Sequence, residues 1–150
     1  MTSTQSRDVA TRKKDVLAYL ESNAHYWLTS AEVGGRPHMI AVSGLWDGSA
    51  IIVTTLGTSK TAKNMEMNPL VVLAGGDPSD AIVIQAQVIE TVAVEKAPKY
   101  LDQWKQAMGW DPSELGAWVF YRLRPTRIQA FRGYEEIGGR DVMIRSRWVI

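Results

Sequence analysis

From Asp8 to Glu21 apolar side chains recur at helical spacing, with Val9, Val16, Leu17 and Leu20 on one face and Arg12, Lys14 and Asp15 directed elsewhere. Ser6 stands just before this run as its expected N-cap. From His25 to Ala93 the period shortens to two. Residues 26–33 end at Gly34-Gly35 and residues 37–46 follow, which predicts a hairpin around a Gly-Gly turn. Trp46-Asp47-Gly48-Ser49 predicts a second hairpin that leads into the β-rich run Ala50–Thr55. A short helix from about Lys60 to Met67 should stop at Asn68-Pro69, because the residue before proline avoids the α region. Leu70 to Ala74 is a brief apolar run closed by a Gly-Gly-Asp-Pro turn. Asp80 to Val94 is the longest strand pattern, with Ile82, Ile84, Ala86, Val88, Val92 and Val94 on one parity. A strand of that length bends, as in a small barrel. Pro98 to Met108 predicts another helix, with Leu101, Trp104 and Met108 on one face and Gly109 as its stop. Alternation returns in 118–123, 126–131 and 142–150.

Helices this few and this unevenly placed do not make repeated βαβ units. The pattern predicts an antiparallel barrel, mainly β with flanking helices, in a single domain over 1–150. Its parts are an N-terminal helix in 1–24, barrel strands and a short helix in 25–95, and a helix with closing strands in 96–150. No internal repeat or low-complexity segment interrupts it.

Composition narrows the chemistry. The 150 residues are 45% hydrophobic and 22% charged, close to the globular average, which argues against disorder, collagen and coiled coil. There is no Cys, so disulfides, thiolate zinc sites and Cys nucleophiles are excluded, and two histidines (His25, His38) are too few for a multi-histidine metal site. The amino terminus carries no apolar run of signal-peptide length, and no stretch reaches the roughly 20 apolar residues of a membrane span. A cytoplasmic location without membrane partners is the expectation. The net charge of +1 hides an asymmetry. Residues 118–150 hold seven Arg (122, 124, 127, 132, 140, 145, 147) against three acids and carry +4, while the first 117 residues hold ten basic and thirteen acidic side chains and carry −3.

The most informative stretch for function is Thr54-Thr55-Leu56-Gly57-Thr58-Ser59-Lys60-Thr61-Ala62-Lys63-Asn64. It runs from a strand end through a hydroxyl-rich turn into a helix start, where unpaired N–H groups and a partial positive charge suit phosphate. Lys60, Lys63 and Asn64 have the spacing of one helical face. The Walker spacing is absent, and a capped helix with two solvated lysines reads equally well from these residues alone. The C-terminal arginines suit carboxylate or phosphate, or pairing with acids across a sheet or subunit interface. Six tryptophans (27, 46, 104, 110, 118, 148) offer flat walls, although Trp104 at helical spacing reads as core. No Gly-x-Ser-x-Gly elbow supports a Ser-His-Asp centre, and signatures of nucleic-acid binding are missing.

Trp27-Leu28-Thr29, Gly35-Arg36-Pro37-His38, Val42-Ser43-Gly44-Leu45-Trp46-Asp47-Gly48, Ile52-Val53-Thr54-Thr55, Ser59-Lys60-Thr61-Ala62-Lys63-Asn64-Met65 and Asn68-Pro69-Leu70-Val71-Val72-Leu73 stand in a characteristic order. On these residues the chain resembles the pyridoxamine 5′-phosphate oxidase-like split β-barrel family, and within it the actinobacterial members described as F420-dependent. The likeness is strongest over residues 25–95. It implies a homodimer of six-stranded split barrels with F420, or alternatively FMN, at the subunit interface. It places the ring system along His38, Ile40, Ala41 and Val42. The phosphate then falls to Thr54, Thr55, Ser59, Lys60, Thr61, Lys63 and Asn64. The implied activity is hydride transfer from the reduced cofactor to a small unsaturated or oxidised molecule, with no nucleic-acid partner. The alternative is a non-catalytic carrier of flavin, F420 or a haem-derived ligand. Ser43, Tyr134 and the arginines are the candidate acids or bases. The chain departs from the family pattern Ser-Arg-Lys-x-x-Asn by placing Thr61 where the lysine stands and lysine at position 60.

Overall fold

A computed structural model describes residues 6–150. The reading of a leaderless amino terminus falls in part on residues 1–5, outside the described residues. In chain order the elements are α1 (Val9–Glu21), β1 (His25–Ala31), β2 (Pro37–Ser43), β3 (Leu45–Trp46), β4 (Ile51–Leu56) and α2 (Lys60–Met67). They continue with β5 (Leu70–Asp77), β6 (Asp80–Ala93), α3 (Pro98–Met108), β7 (Trp118–Phe131), β8 (Asp141–Ile144) and β9 (Arg147–Trp148). All strand pairs are antiparallel, in the order β2-β1-β5-β6-β7-β4-β3, with β8 on β7 and β9 on β8. The sheet curls into a half-barrel in which the end strand β2 approaches β4, next to last at the other end, without pairing. That gap is the split.

Bulges decide which side chains enter the core. In β6 the even-numbered residues Ile82, Ile84, Ala86 and Val88 pack on the larger apolar cluster inside the curl, but Val92 and Val94 pack on a smaller one outside it. The register shift between Val88 and Glu90 inserts one residue and exchanges the faces. Thus one parity serves two cores. The same device corrects the sequence reading of β7, which is one strand rather than two. Pro125 sits at the second shift, opposite Ala86, where the missing N–H removes no ladder bond that the bulge has not already given up. Tyr121 and Leu123 face inward before it, and Ile128 and Ala130 after it. β4 is buried on both faces, Ile51 and Val53 toward the larger cluster and Ile52 toward the smaller one formed with Leu45, Val94, Trp104 and Phe120.

Helix α1 begins at Asp8, whose carboxylate accepts from Thr11 N at 2.8 Å, so the cap is Asp8 and not Ser6. Arg12 is also corrected: it is buried on the same face as Val16 and Leu20, with its guanidinium aimed at the carbonyls of Ala130 and Glu136. The expected turn is present, and Gly34 and Gly35 both hold positive φ (96° and 93°), which only glycine adopts cheaply. Gly44 is needed for space: a Cβ there would lie 2.7 Å from both Ile51 Cγ2 and a ring carbon of Tyr26. Gly44→Ala is expected to destabilise the fold by roughly 1–3 kcal/mol through overpacking, read as a lower urea midpoint.

Candidate functional site

β2 and β4 present facing edges across the split, and three tryptophans close the outer side. Together Ile40, Ala41, Val42 and Ser43 of β2, Thr54 and Thr55 of β4, His25, and Trp104, Trp110 and Trp118 line a cleft of about 310 Å³. The volume lies at the lower end of the range for small-molecule sites. Trp110 contacts Trp104 and Trp118 edge-to-face, with ring centroids 5.6 and 5.5 Å apart. Trp104 is core, as its spacing on α3 requires, and its indole Nε1 is buried without a hydrogen-bond partner. The result is a slot with aromatic side chains on one side and strands β2 and β4 on the other.

The expected ring residues Ile40, Ala41 and Val42 therefore share one cleft with Thr54 and Thr55. His38 does not line it, lying two residues nearer the β1–β2 turn. From the cleft the polar path continues to α2. Thr55 Oγ1 donates to Ser59 Oγ at 3.1 Å, and Ser59 Oγ accepts from Ala62 N at 3.1 Å as the N-cap of α2. Thr54 Oγ1 donates to the Val119 carbonyl. These hydroxyls hold the turn in shape.

The helical face expected for Lys60, Lys63 and Asn64 divides in the structure. Lys60 and Lys63 are exposed, whereas Asn64 is buried and its Nδ2 donates to Ser30 Oγ of β1 at 3.1 Å. Thr61 is 1% exposed and turned into the protein. Neither Thr61 nor Asn64 offers surface to a ligand; both anchor α2 so that its lysines face out. Lys60 is paired with Glu32, a residue the sequence reading did not single out. That pair holds the Glu32 carboxyl below its ordinary range, with further help from Arg36 and His38.

Ser43 Oγ lies 3.0 Å from His25 Nδ1, because β1 and β2 pair His25 directly with Ser43. Sequence reasoning named Ser43 but not its partner, although fixing the hairpin turn at 34–35 sets this register. Among the described residues no hydrogen bond joins His25 to a carboxylate, and no group of three or more His, Asp or Glu side chains is placed to hold a metal ion. Tyr134 is 91% exposed and does not line this cleft. Among the described residues, three of the C-terminal arginines pair with carboxylates: Arg122 with Asp47, Arg127 with Asp141, and Arg132 with Asp80 and Asp15. The pairing expected for arginines across a sheet accounts for these three. Among the described residues no helix is long and apolar enough to cross a membrane.

No family profile matches the chain, and no curated protein matches it. Solved structures do. An F420 reductase superposes with TM-score 0.64 at 22% identity, covering 74% of this chain and 93% of that one. A pyridoxamine 5′-phosphate oxidase-like protein of Listeria innocua gives TM-score 0.61 at 20% identity, covering 81% and 98%. A haem storage protein of Vibrio cholerae gives 0.66 at 14% identity, covering 91% and 99%. Likeness at these identities establishes architecture, and the architecture of this chain is the split β-barrel of the pyridoxamine 5′-phosphate oxidase-like kind.

Proposed function

We propose that this protein is a flavin- or deazaflavin-dependent oxidoreductase, with F420 as the first candidate cofactor and FMN as the second. The observation that carries the reading is the continuity of the split cleft with the N-terminus of α2 through the Thr55–Ser59 hydrogen bond. A planar tricyclic ring fits a slot walled by Trp110 and Trp118. The phosphate of such a cofactor then reaches the α2 start, where helix N–H groups, Lys60 and Lys63 offer positive potential. When bound, the reduced ring supplies the hydride. The chain's own residues bind and orient: Ile40 to Val42 set the ring's depth, Thr54, Thr55 and Ser59 shape the turn, the two lysines hold the anion, and the tryptophans exclude water. His25 and Ser43 form the one polar side-chain pair among the cleft's lining residues and can hand a proton to an acceptor there.

The assembly belongs to the same proposal. Trp27 and Met39 are 55% and 58% exposed, and the register sets them beside Ala41, Ala74 and Val72 on the outer face of β1, β2 and β5. An apolar sheet face of this kind is uncommon on a monomer. A second copy of the chain is the proposed cover, which puts the outer face of β2 against the partner and the cleft at the interface. A cytoplasmic homodimer is the working description.

A second reading is favoured by one observation. His25 is the sole titratable side chain among the residues lining the cleft, and the Thr54, Thr55 and Ser59 hydroxyls are already hydrogen-bonded within the chain. A binder with little chemistry of its own, carrying flavin, F420 or a haem-derived ligand, uses the same cleft. Titration of the purified protein with F420 and with FMN, followed by tryptophan quenching, tests the first reading because three tryptophans wall the slot. Micromolar or tighter binding is expected, with turnover of an enone, quinone or tetrapyrrole. Binding of neither ligand sinks it, and tight binding without turnover selects the carrier.

A further inference from the structure

The phosphate seat proposed at the start of α2 already contains a carboxylate. Glu32 lies at the base of the β1–β2 turn, fixed there by Glu32 N donating to the Arg36 carbonyl at 2.8 Å and Gly35 N donating to the Glu32 carbonyl at 2.8 Å. From that fixed position its carboxylate reaches across to Lys60 Nζ at 2.5 Å. Lys60 is the first residue of α2, directly after the Ser59 cap, so the carboxylate stands beside the helix end that a phosphate would approach. Arg36 and His38, from the same turn and the start of β2, add to the positive potential at Glu32. Lys63 has no ion pair among the described residues and is exposed.

We propose that Glu32 is a built-in counter-ion that competes with the cofactor phosphate for Lys60 and biases the seat toward a singly charged phosphodiester over a doubly charged phosphomonoester. This rests on the reading of Lys60 and Lys63 as the phosphate seat. The physics is charge balance. Two lysines alone match a phosphomonoester dianion. Two lysines with one resident carboxylate match a single negative charge, and a dianion meets the repulsion of Glu32 twice over. Because its main chain is held by a tight turn, Glu32 keeps its carboxylate within side-chain reach of an arriving phosphate. The pair therefore sets which cofactor headgroup is preferred.

The test compares the protein with its Glu32→Gln variant at pH 8, where FMN is a dianion, using riboflavin, F420 and FMN as ligands of zero, one and two charges on the group at this position. Glutamine keeps the shape and removes the charge. At low ionic strength FMN affinity is expected to rise roughly tenfold and F420 affinity roughly threefold, from Coulomb energies over about 6 Å in water, and both gains shrink as salt is added. The ratio of FMN to riboflavin affinity rises accordingly. Unchanged or weaker FMN binding in the variant overturns the proposal, since Glu32 would then be positioning Lys60 for the ligand. An equal gain for F420 and FMN overturns the charge selection. If the unaltered protein binds none of the three, it is the phosphate-seat reading itself that fails.

Discussion

Glu136→Ala is expected to lower the stability of the fold by about 3–5 kcal/mol, the combined cost of leaving two backbone N–H groups without an acceptor and removing the buried carboxylate from the Arg7 guanidinium. Glu136 is 3% exposed and lies in the helical turn Tyr134–Gly139. Its carboxylate accepts from Arg7 N at 2.6 Å, from Arg7 Nη2 at 2.7 Å and from Arg132 N at 2.8 Å. Arg7 also reaches Asp15 at 2.9 Å, so one cluster ties the segment before α1 to the segment before β8. Arg12 lies beneath it, buried, with only carbonyl partners nearby. Removing the carboxylate leaves the backbone N–H groups of Arg7 and Arg132 without their acceptor and takes from the Arg7 guanidinium one of its two close carboxylates, Asp15 being the other. Thermal unfolding of Glu136→Ala beside a surface control such as Glu135→Ala checks this. Equal melting temperatures would remove the clasp from the account.

The same cluster predicts an acid dependence. Hydrogen bonds from Arg7, followed by those from backbone N–H groups, outweigh desolvation and hold the Glu136 carboxyl at about 2, against an ordinary 4.5. A folded-state value below the unfolded one means the stabilisation is complete above about pH 4.5 and is lost as the pH falls toward 2. The Glu136→Ala variant should therefore be less stable than the unaltered protein at pH 7 and converge with it at low pH. Urea midpoints measured between pH 7 and pH 2.5 show the convergence or its absence.

The second large effect concerns binding. The double substitution Lys60→Ala, Lys63→Ala is expected to weaken F420 and FMN binding by roughly tenfold to a hundredfold, because each lysine offers one charge-assisted contact of about 1.5–3 kcal/mol, part of it lost to screening on an exposed surface. Lys60→Ala alone should cost at least as much as Lys63→Ala alone, since it also leaves the Glu32 carboxylate unpaired beside the phosphate. The mass in solution should not change, because neither lysine lies on the apolar outer face carrying Trp27 and Met39. Tryptophan quenching and sedimentation report the two quantities separately. Unchanged affinity removes the phosphate assignment whatever the mass.

Much of this arrangement was legible in the order of residues. The helices over Val9–Glu21, Lys60–Met67 and Pro98–Met108 follow from apolar spacing and from local stops at Pro69 and Gly109. The hairpin at Gly34-Gly35, the strand from Asp80 and the antiparallel class follow from period-two alternation and turn chemistry. These are local properties, set by backbone conformations that a few neighbouring residues impose. The hydroxyl-rich turn into α2 was likewise visible as a helix start suited to an anion.

Contacts between segments distant in the chain were decided only in three dimensions. Even-numbered residues of β6 face two different cores because a bulge exchanges the faces, and no one-parity pattern encodes where an extra residue will be absorbed. Arg12 reads as a solvated helix residue until the turn Tyr134–Gly139 is laid over it. Asn64 has the spacing of a ligand contact, yet β1 supplies Ser30 to bury it. Lys60 looks free until the β1–β2 turn brings Glu32 to it. Spacing along a helix fixes which side chains share a face, since 3.6 residues complete a turn. Whether that face meets solvent, a carboxylate or the protein interior depends on what the folded chain packs against it, and that is a property of the tertiary structure alone.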